Sequence, residues 1–342
     1  MTPLAVVCCP DKFRGSLTAT AAAARMAAGL RAAGLDPLEL PLGDGGEGTL
    51  DVLLAAVGGT RRCTSVTGPL DERVEAEWAV LADGTAVIEA ARASGLALTA
   101  GRNDPVRATT AGVGELLQAA ADEGVSHALV CVGGSATTDG GLGAIKALGW
   151  SLGGLRVDVA CDVATRFSDA AAVFGPQKGA DPEQVDLLTR RLDRLTAAYR
   201  DRTGVDVSAL PGAGAAGGLA GGLAALGASL RPGFDLVAEA TGLAAALAGR
   251  DAVVTGEGRV DGSSFEGKVV GGVLALAGAG RRRAVIGGEI TAEGRRELPP
   301  DVLADSLVDH AGSEAEAIGR AAELLEEAAL RLGRQLAGPA AE

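Results

Sequence analysis

The sequence predicts an α/β fold with two domains: a Rossmann-like parallel-sheet domain built from both chain ends, and a second α/β domain inserted into it. Three observations indicate this fold. Short apolar runs alternate with helical patterns, as in a parallel sheet that is covered on both faces. Glycine-rich loops follow several of the apolar runs. The chain has 342 residues, which is the length of about two domains.

The N-terminal part predicts two strand–loop–helix units. Leu4–Cys9 is an apolar strand, and a polar loop follows it. Thr18 or Thr20 can cap a helix that runs to Gly34. The second unit has a strand at 38–42 and a glycine-rich loop at 43–49, which opens a helix that ends near residue 58. This alternation is the first half of the Rossmann-like domain.

From about Cys63 the pattern becomes richer in short strands, which indicates the inserted domain. The predicted elements are strands at 62–66, 74–81, 85–90, 127–132 and 156–161, helices at 109–123 and 182–202, and a glycine-rich loop at 133–143 that leads into a helix ending at Gly149. Arg231–Gly233 is interpreted as a linker back to the first domain. The predicted limits are therefore 1–62 plus 235–342 for the Rossmann-like domain and 63–234 for the insertion.

The C-terminal part predicts the second half of the Rossmann-like domain. Its elements are helices at 236–247 and 268–277, strands at 251–255 and 283–287, and a final helix. Ser313 and Glu316 have the spacing of a capping box at the start of that final helix. Its apolar positions are Ile318, Ala321, Leu325, Ala328 and Leu332, whose spacing predicts a buried face.

Composition excludes several classes of function. There are 31 basic and 44 acidic residues, so the net charge is −13, which argues against nucleic-acid and anionic-membrane partners. Five scattered cysteines and two histidines favour neither a zinc site nor disulfides. The stretch Val207–Leu230 lacks charge but is mostly Ala and Gly, so a buried helix is favoured over a membrane span. We expect a cytoplasmic protein with no signal peptide.

Four segments combine glycine clusters with polar residues, and three of them follow apolar strands. Glycines let main-chain N–H groups converge on an anion, and carboxylates beside such loops are natural Mg²⁺ ligands. The segments are Gly43–Thr49, Gly133–Gly141, Gly212–Gly218 and Thr255–Gly262. Together they predict an enzyme that handles phosphate with the help of a metal ion.

Two other phosphate motifs match only in part. Gly212, Gly214 and Gly217 have the spacing of the dinucleotide fingerprint, but Pro211 precedes them and no good strand leads into them. The run from Gly262 to Lys268 resembles a Walker A motif, yet Val269 replaces the hydroxyl residue that would bind Mg²⁺. A dehydrogenase and a P-loop NTPase are therefore both disfavoured.

Six ordered motifs resemble those of the bacterial type I glycerate kinases, over nearly the whole chain. They are Pro10–Leu17, Gly43–Thr49, Gly133–Gly141, Phe174–Ala180, Gly212–Gly218 and Thr255–Asp261. The resemblance implies phosphorylation of D-glycerate by ATP with Mg²⁺, typically to 2-phosphoglycerate. It also implies an active site in the cleft of a two-domain α/β fold.

The resemblance and the loop chemistry together give the candidate site. Asp44 and Asp139 are the candidate Mg²⁺ ligands or base, Asp162 is a further base candidate, and Lys12 and Arg14 would hold the phosphoryl group or the acceptor carboxylate. The candidate ATP-binding residues are Gly133, Gly134, Ser135, Thr137, Gly214, Gly217 and Lys178. The candidate acceptor-binding residues are Ser16, Arg107, Arg259 and Asp261.

The sequence departs from the family pattern in ways that leave the acceptor open. Arg14 stands where the family has lysine, Ser263 where it has glutamine, and Val163–Ser168 replaces the usual segment after Asp162. Two alternatives therefore remain beside a glycerate kinase. One is a kinase of the same family with another small hydroxy-acid or hydroxyl acceptor, and the other is a non-catalytic relative that binds nucleotide. The oligomeric state is open, with a homo-oligomer among the options.

Overall fold

The computed structural model describes residues 3–338, which fold as two compact units. Restricted to these residues, unit 1 comprises 3–44, 51–56 and 234–338, and unit 2 comprises 45–50 and 57–233. The chain thus enters unit 2 briefly at 45–50, returns to unit 1 at 51–56, and then forms the rest of unit 2 before it returns at 234. The limits given above for two separate domains stay a prediction.

The strands and helices of the described residues are as follows, numbered in chain order. The strands are β1 Ala5–Cys8, β2 Asp36–Glu39, β3 Gly59–Thr67, β4 Arg73–Leu81, β5 Thr85–Glu89, β6 His127–Cys131, β7 Arg156–Ala160, β8 Ser229–Arg231, β9 Ala252–Val260, β10 Arg282–Ile290 and β11 Val302–Ser306. The α-helices are α1 Ala19–Ala32, α2 Thr49–Val57, α3 Ala90–Ser94, α4 Ala111–Asp122, α5 Leu142–Ala147, α6 Ala170–Phe174, α7 Pro182–Thr203, α8 Leu219–Ala225, α9 Gly233–Thr241, α10 Leu243–Ala248, α11 Val269–Ala277, α12 Ala292–Glu297, α13 Glu314–Gly319 and α14 Ala321–Ala337.

Unit 1 is built on a parallel five-stranded sheet in the order β11-β10-β9-β1-β2. Side chains alternate between the two faces of a strand. On β10, Ala284 and Ile286 pack in the core beneath α1 and α14, whereas Val285 packs in the core of α11. The sheet is therefore covered on both faces. Thr18 caps α1, as the sequence predicts, because its hydroxyl accepts a bond from the Ala21 N–H.

Unit 2 is built on a mixed six-stranded sheet in the order β3-β4-β5-β6-β7-β8. β3, β4 and β5 are antiparallel neighbours, and β5 to β8 run parallel. One core contains Trp78, Ile88 and Leu116, and a second core forms where α7 packs on Phe167. Both units combine helices with parallel strands, so the predicted α/β fold class is confirmed.

Four element predictions need correction. Arg231 does not begin a linker, because it ends β8, which pairs with β7. The predicted helix 236–247 is broken at Gly242, whose φ is +69°. The strand predicted to end at Thr255 continues to Val260, because β10 pairs with it along this length. The final helix is also broken, into α13 and α14, between Gly319 and Ala321.

The break in the final helix changes which of its side chains are buried. Ile318 lies at the end of α13 and is 45% exposed, so its prediction as a buried residue is wrong. The other four predicted positions, which lie on α14, are all buried. Ser313 caps α13 by accepting from the Glu316 N–H, whereas the Glu316 carboxylate bonds the N–H of Gly312, so the capping box is incomplete.

Within residues 3–338, no helix has the length and apolar character that a membrane crossing needs. The uncharged stretch Val207–Leu230 contains the short helix α8, all of whose residues are buried.

Candidate active site

A cluster of ionisable side chains lies at the carboxyl edge of the unit 1 sheet. Asp11 and Lys12 follow β1, and the Asp11 N–H donates to the carbonyl of Gly256 on the neighbouring strand β9. Asp44 lies in the loop after β2. Lys12 Nζ is 3.6 Å from Asp44 Oδ1 and 3.9 Å from Asp11 Oδ1. The order of parallel strands thus brings two of the predicted residues, Lys12 and Asp44, together.

Burial and mutual charge change the protonation of this cluster. Burial raises the pKa of Asp11 to about 6; the Asp44 carboxylate adds to the rise, and Lys12 opposes it. Burial disfavours the charged form of Lys12, but Asp11 and Asp44 outweigh it and raise the pKa of the ammonium group. Lys12 therefore stays a cation at neutral pH beside two acids.

Glu257 joins this cluster, and the sequence analysis did not single it out. Burial raises its pKa to about 7, and the negative charges of Asp11 and Asp44 add to the rise. Its Oε1 atom is buried and has no hydrogen-bond partner among the described residues. A carboxyl group with a pKa near 7 suits general acid–base chemistry. The signal that the sequence offered for Glu257 was an acidic residue between two glycines, Gly256 and Gly258.

Arg14, Ser16 and Arg259 line one cavity of unit 1, with a volume of about 160 Å³. The guanidinium group of Arg259 is oriented by Glu289, whose Oε2 lies 2.7 Å from its Nη1. The apolar part of the lining includes Leu307 and Ala317. Three of the predicted phosphoryl- or acceptor-binding residues are therefore close together, next to apolar surface.

Asp261 serves as a cap. It precedes a 3-10 turn, Gly262–Phe265, and its Oδ1 accepts bonds from the Oγ–H and N–H of Ser263. These bonds lower the pKa of Asp261. Ser263 stands where the family has glutamine. In this structure it donates to the carboxylate of Asp261, which precedes the turn.

In unit 2, a cavity of about 320 Å³ lies against the glycine-rich loop after β6. Gly133, Gly134 and Ser135 line it, together with Lys178 and Asp162. Gly134 has a φ of +71°, a conformation that glycine adopts without strain. Five of the predicted site residues thus share one cavity at the carboxyl edge of a parallel sheet, where ligands of α/β proteins bind.

Lys178 is the cation of this cavity, and it is only 4% exposed. Its Nζ donates to the Thr137 carbonyl at 2.6 Å. Burial lowers the pKa of Lys178 to about 8, although Asp139 opposes the change. An ammonium group has three donors. With one used on the loop, two remain for an anion, which would also compensate for the burial of the charge.

Gly214 and Gly217 pack against neighbouring backbone and do not line this cavity. A Cβ on Gly217 would lie 2.0 Å from the Thr137 carbonyl oxygen, and one on Gly214 would lie 2.4 Å from the Arg166 carbonyl oxygen. Ala215 and Ala216, between them, do line it. Thr137 is buried, and its hydroxyl bonds Ser135 Oγ at 2.8 Å. The two glycines therefore let the loops pack closely.

Asp139 has a different environment from the one predicted for it. Its Oδ2 accepts from the N–H and Oγ1–H of Thr110 and from the Gly143 N–H, and its Oδ1 accepts from the Gly141 N–H. Three of these four donors are on Oδ2, so this oxygen is fully engaged with the protein. The structure therefore favours a role in holding the starts of α4 and α5 over the predicted role as metal ligand or base.

Arg107 also does not line the cavity of Gly133 and Lys178. It lines an open groove of unit 2 with Asp139, and its side chain is 71% exposed. Its guanidinium group lies 3.9 Å from Asp71 Oδ2, an exposed acid. Nothing in this groove suggests a buried acceptor site, so the acceptor-binding role of Arg107 has no support from its surroundings.

The acid cluster fits a metal ion only if a ligand supplies further oxygens. In the part of the chain that the structure describes, no three His, Cys, Asp or Glu side chains are placed to hold a metal together. Mg²⁺ is commonly bound by one or two carboxylates, with phosphate oxygens and waters completing its shell. Asp44, beside Lys12 and Asp11, offers such a carboxylate.

A family model described as the glycerate kinase family matches residues 6–154 and 151–337, which is most of the chain. The chain belongs to the glycerate kinase family. It is accordingly a phosphotransferase with an alcohol group as acceptor, and the predicted family and enzyme class are confirmed.

Individual relatives agree over most of their length. Glycerate 2-kinase of Escherichia coli (strain K12) is 38% identical over 310 residues, which cover 80% of this chain and 81% of that protein. Glycerate kinase of Bacillus subtilis (strain 168) shows the same identity, with coverage of 80% and 81%. A crystal structure from Salmonella typhimurium LT2, provisionally described as glycerate kinase 2, has a TM-score of 0.82 at 34% identity, covering 98% of this chain and 99% of that chain.

Proposed function

We propose that this protein transfers the γ-phosphoryl group of ATP to a hydroxyl of D-glycerate, with Mg²⁺, and that the product is 2-phosphoglycerate. The relatives named glycerate kinase and glycerate 2-kinase support the acceptor and the product. The observation that carries the proposal is the buried Lys178 beneath the glycine-rich loop, because a buried ammonium group with unused donors calls for an anion.

The nucleotide's phosphates would bind in the unit 2 cavity. Main-chain N–H groups around Gly133 and Gly134 would donate to phosphate oxygens, and Lys178 would supply the positive charge. Ser135 and Thr137 order the loop through their hydroxyl pair. Gly214 and Gly217 act by close packing, and Asp139 acts as a positioning residue. In phosphoryl transfer such positioning and charge neutralisation supply most of the catalysis.

The acceptor would bind in unit 1, with its carboxylate on Arg14 and Arg259. Arg259 is pre-oriented by Glu289, so little side-chain freedom is lost when it binds an anion. Lys12 would hold the transferring phosphoryl group. Asp11 or Glu257 would accept the hydroxyl proton, because burial has moved both pKa values toward neutrality.

Asp44 would take part in holding the metal ion. Bound Mg²⁺ supplies neutralisation of the negative charge on the β- and γ-phosphates. The remaining predicted roles, for Asp162 as a base and for Ser16, Arg107 and Asp261 as acceptor ligands, stay predictions. A cytoplasmic location and a homo-oligomer also stay predictions.

The apolar lining of the unit 1 cavity favours one second candidate. Leu307, Ala317 and Ala321 lie in the same cavity as Arg14 and Arg259. Glycerate has no apolar group to cover them. A small hydroxy acid with an aliphatic branch would bury this surface, so a kinase of the same family with such an acceptor is the alternative.

The test is ADP release from MgATP by the purified protein, with D-glycerate and a panel of branched hydroxy acids as acceptors. The proposal expects the highest kcat/KM with D-glycerate and loss of turnover in EDTA. A branched acid that exceeds glycerate at least ten-fold would establish the alternative. ATP binding without turnover of any acceptor would contradict both kinase proposals.

A further inference from the structure

The unit 2 cavity is larger and more apolar than phosphate groups alone require. Beside its loop donors and Lys178 it is lined by Leu96, Val132, Val163 and Phe174. Phosphate needs donors and positive charge, and it gains nothing from an aliphatic or aromatic wall. A ligand that satisfies the whole lining therefore carries an uncharged flat or apolar group beside its phosphates.

Exposed apolar side chains are concentrated in the two segments that form this wall. Among the described residues, five large apolar side chains are exposed, and three of them are Leu96, Leu98 and Val173, at 36%, 38% and 54%. Leu96 and Leu98 belong to the 3-10 turn Leu96–Thr99, and Val173 precedes Phe174 at the end of α6. Of these three, only Leu96 lines the cavity, and an apolar side chain left in contact with water at a cavity is typical of a ligand site.

Hydrogen bonds tie the turn Leu96–Thr99 directly to the glycine-rich loop, and Asn103 connects this loop to Lys178, four residues after Phe174. The Leu96 N–H donates to the Gly134 carbonyl at 2.9 Å. The Asn103 amide donates to the carbonyls of Ala136, at 3.1 Å, and Lys178, at 2.8 Å. The wall is thus held at a fixed position relative to the phosphate donors. Lys178 Nζ lies over the Phe174 ring, 5.8 Å from its centre, so a base at this ring would lie next to the ammonium group that would bind the phosphates.

We propose that Leu96 and Phe174 form the seat of the nucleoside of the phosphoryl donor, with the base stacked on Phe174 and Leu96 against its edge. This inference rests on the proposed function, because it assumes that the phosphates of the same nucleotide bind at Lys178. Stacking on an aromatic ring stabilises a bound base, and it requires no hydrogen bonds to the base.

The experiment compares ATP with inorganic tripolyphosphate, which has the phosphates and lacks the nucleoside. Phe174→Ala is expected to raise the KM for ATP about ten-fold, to leave kcat within two-fold, and to leave the Kd of tripolyphosphate unchanged. Val173→Ala removes an exposed neighbour that does not line the cavity, so it is the matched control and is expected to change neither constant.

Three outcomes separate this inference from the proposed function. A Phe174→Ala protein with an unchanged KM for ATP, or with equal loss of ATP and tripolyphosphate binding, overturns the nucleoside seat alone. A wild-type protein that neither binds nor turns over ATP overturns the proposed function. If Phe174→Ala does not fold, as thermal unfolding would show, Leu96→Ala carries the test, because Leu96 is 36% exposed, and the expected rise in KM is about three-fold.

Discussion

At the scale of single residues, the site consists of charges whose burial alters their pKa values. Lys178 is the clearest case, because burial lowers its pKa to about 8 while its Nζ donates to the Thr137 carbonyl. The pKa values of Asp11 and Glu257 are raised instead, because burial favours the neutral form of an acid.

Lys178→Met is expected to weaken ATP binding at least ten-fold and to abolish its pH dependence near pH 8. The wild-type ammonium group is charged below its pKa of about 8, so affinity for a polyphosphate should fall as pH rises from 7 to 9. Calorimetry at both pH values measures this. Lys146→Met removes an exposed charge of the same kind and is the control. A wild-type affinity that rises with pH would contradict the assignment.

Asp139→Asn is expected to lower the free energy of unfolding by about 2 kcal/mol, because hydrogen bonds to a charged acceptor are lost. Urea unfolding measures the change. Asp122→Asn, on an exposed side chain of α4, is the control and should be near neutral. If Asp139→Asn abolished turnover with full stability retained, a direct catalytic role would replace the structural one.

Glu257→Gln is expected to stabilise the protein at pH 8 by about 3 kcal/mol and to change stability little at pH 4. The folded-state pKa is raised from 4.5 to about 7, so the folded state binds the proton more tightly than the unfolded chain does. Wild-type stability should therefore fall as pH rises from 4.5 through 7, and the variant should lose this slope. Urea unfolding at several pH values is the measurement. Glu266→Gln, on an exposed side chain, is the control, and an unchanged slope in Glu257→Gln would refute the assignment.

At the scale of elements, loops after parallel strands provide the site, and glycines set how closely these loops pack. Gly217 shows the requirement most sharply, since its φ is +65° and its missing Cβ makes room for the Thr137 carbonyl. The same carbonyl accepts the Lys178 bond. A side chain at Gly217 would therefore disturb both the loop and the cation.

Gly217→Ala is expected to cost at least about 3 kcal/mol in stability and to weaken ATP binding, because strain and a steric clash add together. Gly227→Ala is the matched control. Its φ is +99°, but nothing lies within 4 Å of its added Cβ, so only the strain of about 1–2 kcal/mol remains. Thermal and urea unfolding of both variants measure the difference. Equal losses would show that close packing at Gly217 does not matter.

Element prediction from the sequence succeeded where the signal was local. Thr18 as a cap and the strand–loop–helix order depend on neighbouring residues, and the structure confirms them. The extension of β9 to Val260 depends on pairing with β10, which lies some thirty residues further along the chain. The exposure of Ile318 depends on a helix break that its periodic spacing does not reveal.

At the scale of the whole molecule, family and fold class could be predicted because six motifs occur in order over nearly the full chain. The individual site roles could not, since burial and hydrogen bonding decide them. Asp139 and Asp44 are both acids in glycine-rich loops, yet Asp139 is held by four backbone and hydroxyl donors, whereas Asp44 lies beside the ammonium group of Lys12. Glu257 gained importance only when the strand order placed it beside Asp11.

Identifying the reaction product is the most direct test of the proposed phosphoryl transfer from ATP to D-glycerate. Purified protein should be incubated with MgATP and D-glycerate, and the reaction should be followed by phosphorus NMR until ATP is consumed. We expect equimolar ADP and one new phosphomonoester, with its phosphorus coupled to the single proton at carbon 2 of glycerate. Conversion of ATP to inorganic phosphate alone, or no change in ATP, would contradict the proposed transfer.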